Sequence, residues 1–155
     1  MSRQHKAGLI HELIAAYRAN SSQDNTFDAL AAERLGISPT DLRCLDIIQG
    51  RDGLTAGELA SASGLTTGAV TAVIDRLEHA GYARRARDES DRRKVIVEVT
   101  DRHYKEADRI WGPLMEEWQR VLTSRFTAAE LATIAEFLDA STEIGARHAE
   151  RIRRG

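Results

Sequence analysis

The sequence of 155 residues carries one cysteine, two prolines and no long hydrophobic run. A lone Cys44 cannot close an intrachain disulfide, which predicts a protein of a reducing compartment. Pro39 and Pro113 are too far apart to make a proline-rich linker, and no repeat or low-complexity segment is visible. Runs such as Leu13 to Ala16 and Val95 to Val97 fall far below the ~20 residues of a membrane span. Met1-Ser2-Arg3-Gln4-His5-Lys6 leads into an amphipathic pattern containing Glu12, which predicts no signal peptide. Charge of one sign is also lacking: 22 basic against 24 acidic residues give −2. Affinity for a polyanion must then come from local clustering rather than bulk charge. No glycine-rich phosphate loop, metal constellation or nucleophile–base pair is visible, so neither an enzyme nor a cofactor is expected. His5, His11, His79, His103 and His148 show no close metal-ligand spacing. The expectation is a cytoplasmic, soluble protein without a membrane segment.

A hydrophobic share of 42% and a charged share of 30% are enough for the core of one domain. Leu9, Ile10, Leu13, Ile14 and Tyr17 recur at helical spacing, and the polar stretch Asn20 to Asn25 predicts a break after them. Phe27, Leu30, Ala31 and Leu35 form a second pattern that stops at Gly36. Ser38-Pro39-Thr40-Asp41 supplies an N-cap, a first-turn proline and a first-turn acid for a helix through Leu42, Leu45 and Ile48. Thr55-Ala56-Gly57-Glu58 is a capping box for a short helix ending at Gly64. Thr66 then caps a helix through Val70, Val73, Ile74 and Leu77, ending at Gly81. So short a turn forces the two helices to pack at a steep angle. Tyr82 to Arg87 and Lys94 to Thr100 read as strands of a hairpin, since Val95, Val97 and Val99 alternate. A helix-turn-helix followed by a hairpin is a winged helix. Beyond it, Tyr104, Ala107, Trp111, Leu114, Trp118 and Leu122 mark a long helix that Pro113 should kink. Thr127 to Glu130 caps a last helix, which ends among Arg147, Arg151, Arg153 and Arg154.

The charge is uneven. Residues 82–100 hold six basic and four acidic side chains, a local +2 that leaves −4 elsewhere. A charged surface hairpin is one explanation; beside a helix-turn-helix, a phosphate and minor-groove contact is the other. On the second helix of the turn, the stripe opposite Val70, Val73, Ile74 and Leu77 is Gly68, Ala72, Asp75 and His79, flanked by Thr71 and Arg76. Thr66 and Thr67 at its start suit a phosphate, and Arg76 is long enough to reach one. Gly68 and Ala72 permit close approach but supply no hydrogen bonds to bases. Gly68 reads equally as a packing glycine near a helix start.

The run from Leu65 to Glu78, with Gly81-Tyr82 and Asp91-Arg92-Arg93 before Val95-Ile96-Val97, resembles the MarR family of bacterial transcriptional regulators. The resemblance implies a mainly α fold with a small β-hairpin wing: a DNA-binding lobe at 37–100, with dimerisation helices at 1–36 and 101–155 of a single domain. It further implies a homodimeric repressor on a pseudo-palindromic operator in double-stranded DNA, released by a small, often phenolic effector. DNA contacts would come from Thr66, Thr67, Gly68, Thr71, Ala72 and Arg76, and from Arg92 and Arg93 on the wing, with Asp91 orienting Arg93. Many relatives carry arginine where this chain has Ala72. Trp111 and Trp118 could line an effector pocket or pack a core. Cys44 is a redox switch or a packing residue. A winged helix that serves only as a protein-interaction module is the alternative from another class.

Overall fold

The computed structural model describes residues 3–155 apart from Asp52 and Glu89. The leading residues Met1 and Ser2 and the wing acid Glu89 therefore lie outside the described residues. In chain order the elements are α1 (Arg3–Leu35), α2 (Pro39–Gln49), α3 (Ala56–Ser63), α4 (Thr67–Ala80), β1 (Ala83–Arg87), β2 (Val95–Val99), α5 (Asp101–Arg125) and α6 (Ala128–Arg154). The chain divides into two compact units, Met1–Ile110 and Trp111–Gly155.

The expected break at Asn20 to Asn25 is absent, and α1 is one helix. Its polar side chains find partners inside the helix instead of competing with it. Asn20 Nδ2 donates to Asp24 Oδ2 one turn on (2.8 Å), and Thr26 Oγ1 donates to Ser22 O (3.0 Å). The other helix starts follow their caps. Ser38, Thr55 and Thr127 each close a reciprocal capping box with Asp41, Glu58 and Glu130, while Thr66 Oγ1 accepts from Ala69 N (3.3 Å). Gly64 ends α3 in the left-handed conformation (φ 72°), where a side chain would be strained. That permits the short link into α4.

The core of the first unit gathers the apolar stripes of α2, α3 and α4 with Ala31, Ala32 and Leu35 from the end of α1. Leu42, Leu45, Ile48, Leu59, Val70, Val73, Ile74 and Leu77 are all buried there. Arg43 ties α2 to the end of α3, its Nη2 donating to Ser63 O (2.5 Å). The antiparallel hairpin pairs Ala83 with Val99 and Arg87 with Val95, and Leu54 adds an isolated bridge to Val97. Gly53 lies beside that bridge at φ 81°, and a Cβ there would meet Ile96 Cδ1 at 2.6 Å. Both strands are shorter than the sequence pattern suggests. Tyr82 precedes β1 and instead sends its hydroxyl to Leu35 O (3.1 Å), joining the wing's root to α1. Thr100 follows β2 and donates from Oγ1 to Gly81 O (2.7 Å). The first turn of α5 is held by buried His103, whose Nε2 pairs with Gln49 Oε1 (2.5 Å).

In the second unit α5 remains one α-helix across Pro113, and Thr127 starts α6 after a two-residue link. No residue from Trp111 to Gly155 is buried. Leu138, Ile144 and Ile152 on α6 and Met115 and Trp118 on α5 stand exposed. No helix among the described residues is long and apolar enough to cross a membrane.

Candidate nucleic-acid interface

The sequence divides α4 into two faces, and the fold keeps that division. Val70, Val73, Ile74 and Leu77 are at most 1% exposed. Thr67, Gly68, Ala69, Thr71, Ala72, Asp75, Arg76 and His79 lie on the solvent side. A Cβ added to Gly68 would meet nothing within 4 Å. No internal packing calls for a glycine there, although its helix propensity is about 1 kcal/mol worse than alanine's. The exposed face is low and polar at its N-terminal end. Thr66 is spent as the N-cap, and Thr71 Oγ1 donates back to Thr67 O (3.0 Å). The backbone N–H groups of Thr67 and Gly68, in the first turn, are the ones the helix leaves without an intrahelical acceptor.

The basic residues of the hairpin are not equivalent. Arg85 points at α4, where Nη2 reaches Asp75 Oδ1 (2.7 Å), Nη1 pairs with Glu78, and the backbone N donates to Glu78 Oε1 (2.8 Å). Two carboxylates on one guanidinium pin the wing to α4 and cancel that positive charge. Arg84 is paired with Glu98 across the strands (2.6 Å). Arg87 Nη1 donates to Arg92 O (2.7 Å), an uncharged partner. At the tip, Arg93 is 95% exposed, and Arg92 and Lys94 are also exposed. The most exposed basic side chains of the described hairpin therefore gather at the end of the wing.

Asp88 builds the tip. Its Oδ1 accepts from Ser90 N (2.7 Å), Ser90 Oγ (2.5 Å) and Asp91 N (2.9 Å), and these bonds hold its carboxyl below the usual range. Asp91 acts on Arg93 mainly through the backbone. Its Oδ1 accepts from Arg93 N at 3.1 Å, while Nε stands 3.5 Å away. The expected side-chain clamp is thus a loose ion contact beside a firm turn.

Arg76 holds the least foreseen contact. Its Nε and Nη2 donate to Asp41 Oδ2 and Oδ1 on α2 (3.0 and 2.5 Å), and Asp41 is buried. Burial alone would raise the Asp41 carboxyl, but hydrogen bonds from Arg76 and Ser38 outweigh it and hold it low. The sequence marks Asp41 only as a first-turn acid. Its partner lies 35 residues away, and no local spacing signals the pair.

Cys44 is fully buried in the lobe core, and burial pushes its thiol up, the environment of a packing residue. Trp111 and Trp118 lie on α5 in the second unit, Trp111 half-buried and Trp118 45% exposed.

Comparison with known proteins agrees with this geometry. A family model described as MarR family matches residues 37–95, the span from Ile37 to the first residue of β2. The chain is 34% identical over 152 residues to the HTH-type transcriptional regulator YcgE of Bacillus subtilis (strain 168), covering 98% of both chains. Among solved structures it resembles a MarR family protein from Bacillus stearothermophilus, with TM-score 0.65, 19% identity and coverage of 94% of this chain and 99% of that one. It also resembles a MepR mutant of S. aureus bound to an oligodeoxyribonucleotide, with TM-score 0.55, 20% identity and coverage of 84% and 96%. With a winged helix whose α4 turns a small-residue face outward, and with a full-length relative at this identity, the chain belongs to the MarR family of transcriptional regulators and is not an enzyme.

Proposed function

We propose that the protein acts as a homodimeric repressor that lays α4 of each subunit in successive major grooves of a pseudo-palindromic operator. The observation that carries this reading is the pairing of an exposed, low face on α4 with a wing tip where Arg92, Arg93 and Lys94 stand exposed to solvent. Thr67 and Thr71 are the side chains of α4 able to meet base edges, with Gly68 and Ala72 admitting the groove floor. Thr66, through the helix start, and Arg76 on the flank serve phosphates. Arg93, with Arg92 beside it, enters a minor groove narrowed by A·T-rich sequence, where negative potential concentrates. The DNA-bound state of the MepR neighbour, which shares the fold, supports the same docking here. Two-fold assembly follows from the exposed stripe Leu9, Ile10, Leu13 and Ile14 on α1 and from Leu138 and Ile144 on α6. The lobe at 37–100 then reads DNA and the flanking segments join subunits. Two such lobes set half-site centres about one helical turn, roughly 10 bp, apart.

Release by a small phenolic effector, with Trp111 and Trp118 contributing to its pocket, completes the reading. The Cys44 switch has little in its favour, since its thiol is buried and raised. A pure interaction module is disfavoured by the exposed basic side chains at the wing tip. Fluorescence anisotropy with a mixed-sequence duplex at two salt concentrations tests the core of it. Affinity falling steeply with salt is expected, and no salt-dependent binding rejects DNA binding. Sequencing genomic DNA recovered by the purified protein then supplies the operator. On that site, Arg93→Ala should weaken binding severalfold and lessen the preference for A·T-rich flanks. Unchanged binding to A·T-rich and G·C-rich duplexes alike rejects the minor-groove role.

A further inference from the structure

Asp41 is a carboxylate buried in the first turn of α2, bonded to Ser38 and Arg76. It is 2% exposed and is surrounded in sequence and space by the core residues of α2 and α4. Both its oxygens are bonded: Oδ2 accepts from Ser38 N (3.2 Å) and Arg76 Nε (3.0 Å), and Oδ1 accepts from Arg76 Nη2 (2.5 Å). A buried ion pair is a weak source of stability, because desolvating the acid offsets the attraction. The arrangement therefore calls for a return other than stability. The Arg76 side chain is still 53% exposed. A guanidinium has five N–H donors in a fixed fork. Asp41 occupies two of them, one at Nε and one at Nη2. The remaining three, two on Nη1 and one on Nη2, have no acceptor among the described residues.

We infer that Asp41 is a positioning residue for DNA binding: from α2 it holds the Arg76 guanidinium on the flank of α4 with its outer edge presented to a backbone phosphate. The inference rests on the reading of α4 as the recognition helix. An unpinned arginine loses rotamer freedom when it docks on a phosphate, whereas one already held in a fork loses little. The other arginines near α4 show the contrast. Arg85 has its charge met by two carboxylates, Asp75 and Glu78, with its side chain 35% exposed, and Arg93 is 95% exposed with a 3.5 Å ion contact to Asp91. Of these three, Arg76 is the one that a single carboxylate holds at two points while more than half of the side chain stays exposed. Asp41→Asn keeps the shape and an oxygen for the Ser38 cap but removes the charge that holds the fork.

The test is a double-mutant cycle in DNA affinity rather than in stability. Full-length protein is titrated into a mixed-sequence duplex three helical turns long, across about 50–200 mM salt. Arg76→Gln should lower the slope of log affinity against log salt by about one per half-site. Asp41→Asn should leave that slope near the parent's, because Arg76 keeps its charge, while affinity falls about three- to tenfold. In the Arg76→Gln background, Asp41→Asn should cost nothing further. Circular dichroism and sedimentation establish that each variant is folded and assembled as the parent is. If Asp41→Asn does not fold, Arg76→Lys replaces it, since the ammonium keeps charge and partner but not the fork. It should then show the parent's slope with the same loss of affinity, and parent-like affinity overturns the inference. Parent-like affinity of folded Asp41→Asn, or an equal loss with and without Arg76, also overturns it. If the parent itself shows no salt-dependent binding, the recognition-helix reading fails first. If the parent binds, Arg76→Gln lowers the slope and Asp41→Asn matches the parent, only the role of Asp41 fails.

Discussion

Leu45 and Leu138 sit on helical stripes of similar regularity, yet Leu45 is fully buried and Leu138 is 48% exposed. The same contrast holds for the regions that contain them. Between Ala31 and His103 the chain closes a core of its own around α2, α3 and α4. From Leu9 to Tyr17 and from Trp111 to Gly155 it presents apolar side chains and buries none. Periodicity reports that a helix has an apolar face. Whether that face is covered within one chain depends on what else the chain can bring to it. A lobe of three short helices and a hairpin satisfies its own stripes, and two long terminal segments do not.

That contrast can be broken at several points. The largest effect is expected from Leu13→Glu combined with Leu138→Glu. Both positions are half-exposed in the single chain, so the lobe should stay folded while two-fold assembly is lost. Binding to a two-half-site duplex should weaken by a factor on the order of 10³, because the second half-site no longer gains from linkage. Sedimentation reads the assembly, and a dimer that survives both charges places the interface elsewhere. Next is Leu45→Ala, which opens a cavity in the closed core and should cost about 3 kcal/mol in urea unfolding. The same kind of truncation at half-exposed Ile144 on α6, made in that doubly substituted background, should stay within about 0.5 kcal/mol. Equal costs would mean that the two stripes are covered alike.

Gly68→Ala should act on folding and binding with opposite signs. A Cβ there meets nothing, so the helix gains up to about 1 kcal/mol while duplex affinity falls. A rise in both would return Gly68 to an ordinary surface position. The smallest effect concerns the seam between α1 and α2. Burial, and then the charge of Asp28, pushes the Asp46 carboxyl up from 3.8 to about 6. A folded-state value above the unfolded one means that folding favours the protonated acid. Stability is therefore lost as pH rises through about 4 to 6 and stays lower above that. Asp46→Asn should recover about 1 kcal/mol near pH 7, after allowance for solvent screening, and nothing below about pH 4. Denaturation at those two pH values reads the difference, and equal stabilisation at both would dismiss titration as its cause.

Much of the architecture was legible because its signals are local. The caps at Ser38, Thr55, Thr66 and Thr127 fall where hydroxyl and acid spacing predict them. Alternation of Val95, Val97 and Val99 marks the second strand of the wing, and the buried stripe of α4 is the one that its spacing indicates. One local signal misled. Asn20 to Asn25 would favour a break in isolation, but its side chains bond along the helix and α1 continues. The small exposed residues of the site were also visible, as Gly68 and Ala72 on the stripe opposite Val70 and Val73.

What the sequence by itself determined is therefore most of the elements, the caps that start α2, α3, α4 and α6, and the face that α4 buries. Those depend on groups no more than about four residues apart, within reach of a helical turn or a strand neighbour. Only the tertiary structure decided which charges remain free to act. Asp41 meets Arg76 across 35 residues, and Arg85 meets Asp75 and Glu78 only because the wing folds back on α4. Arg93, with the same side chain and likewise preceded by an arginine, is 95% exposed. Ion pairing is set by the distance between charged atoms after packing, and packing is where information local to the chain ends.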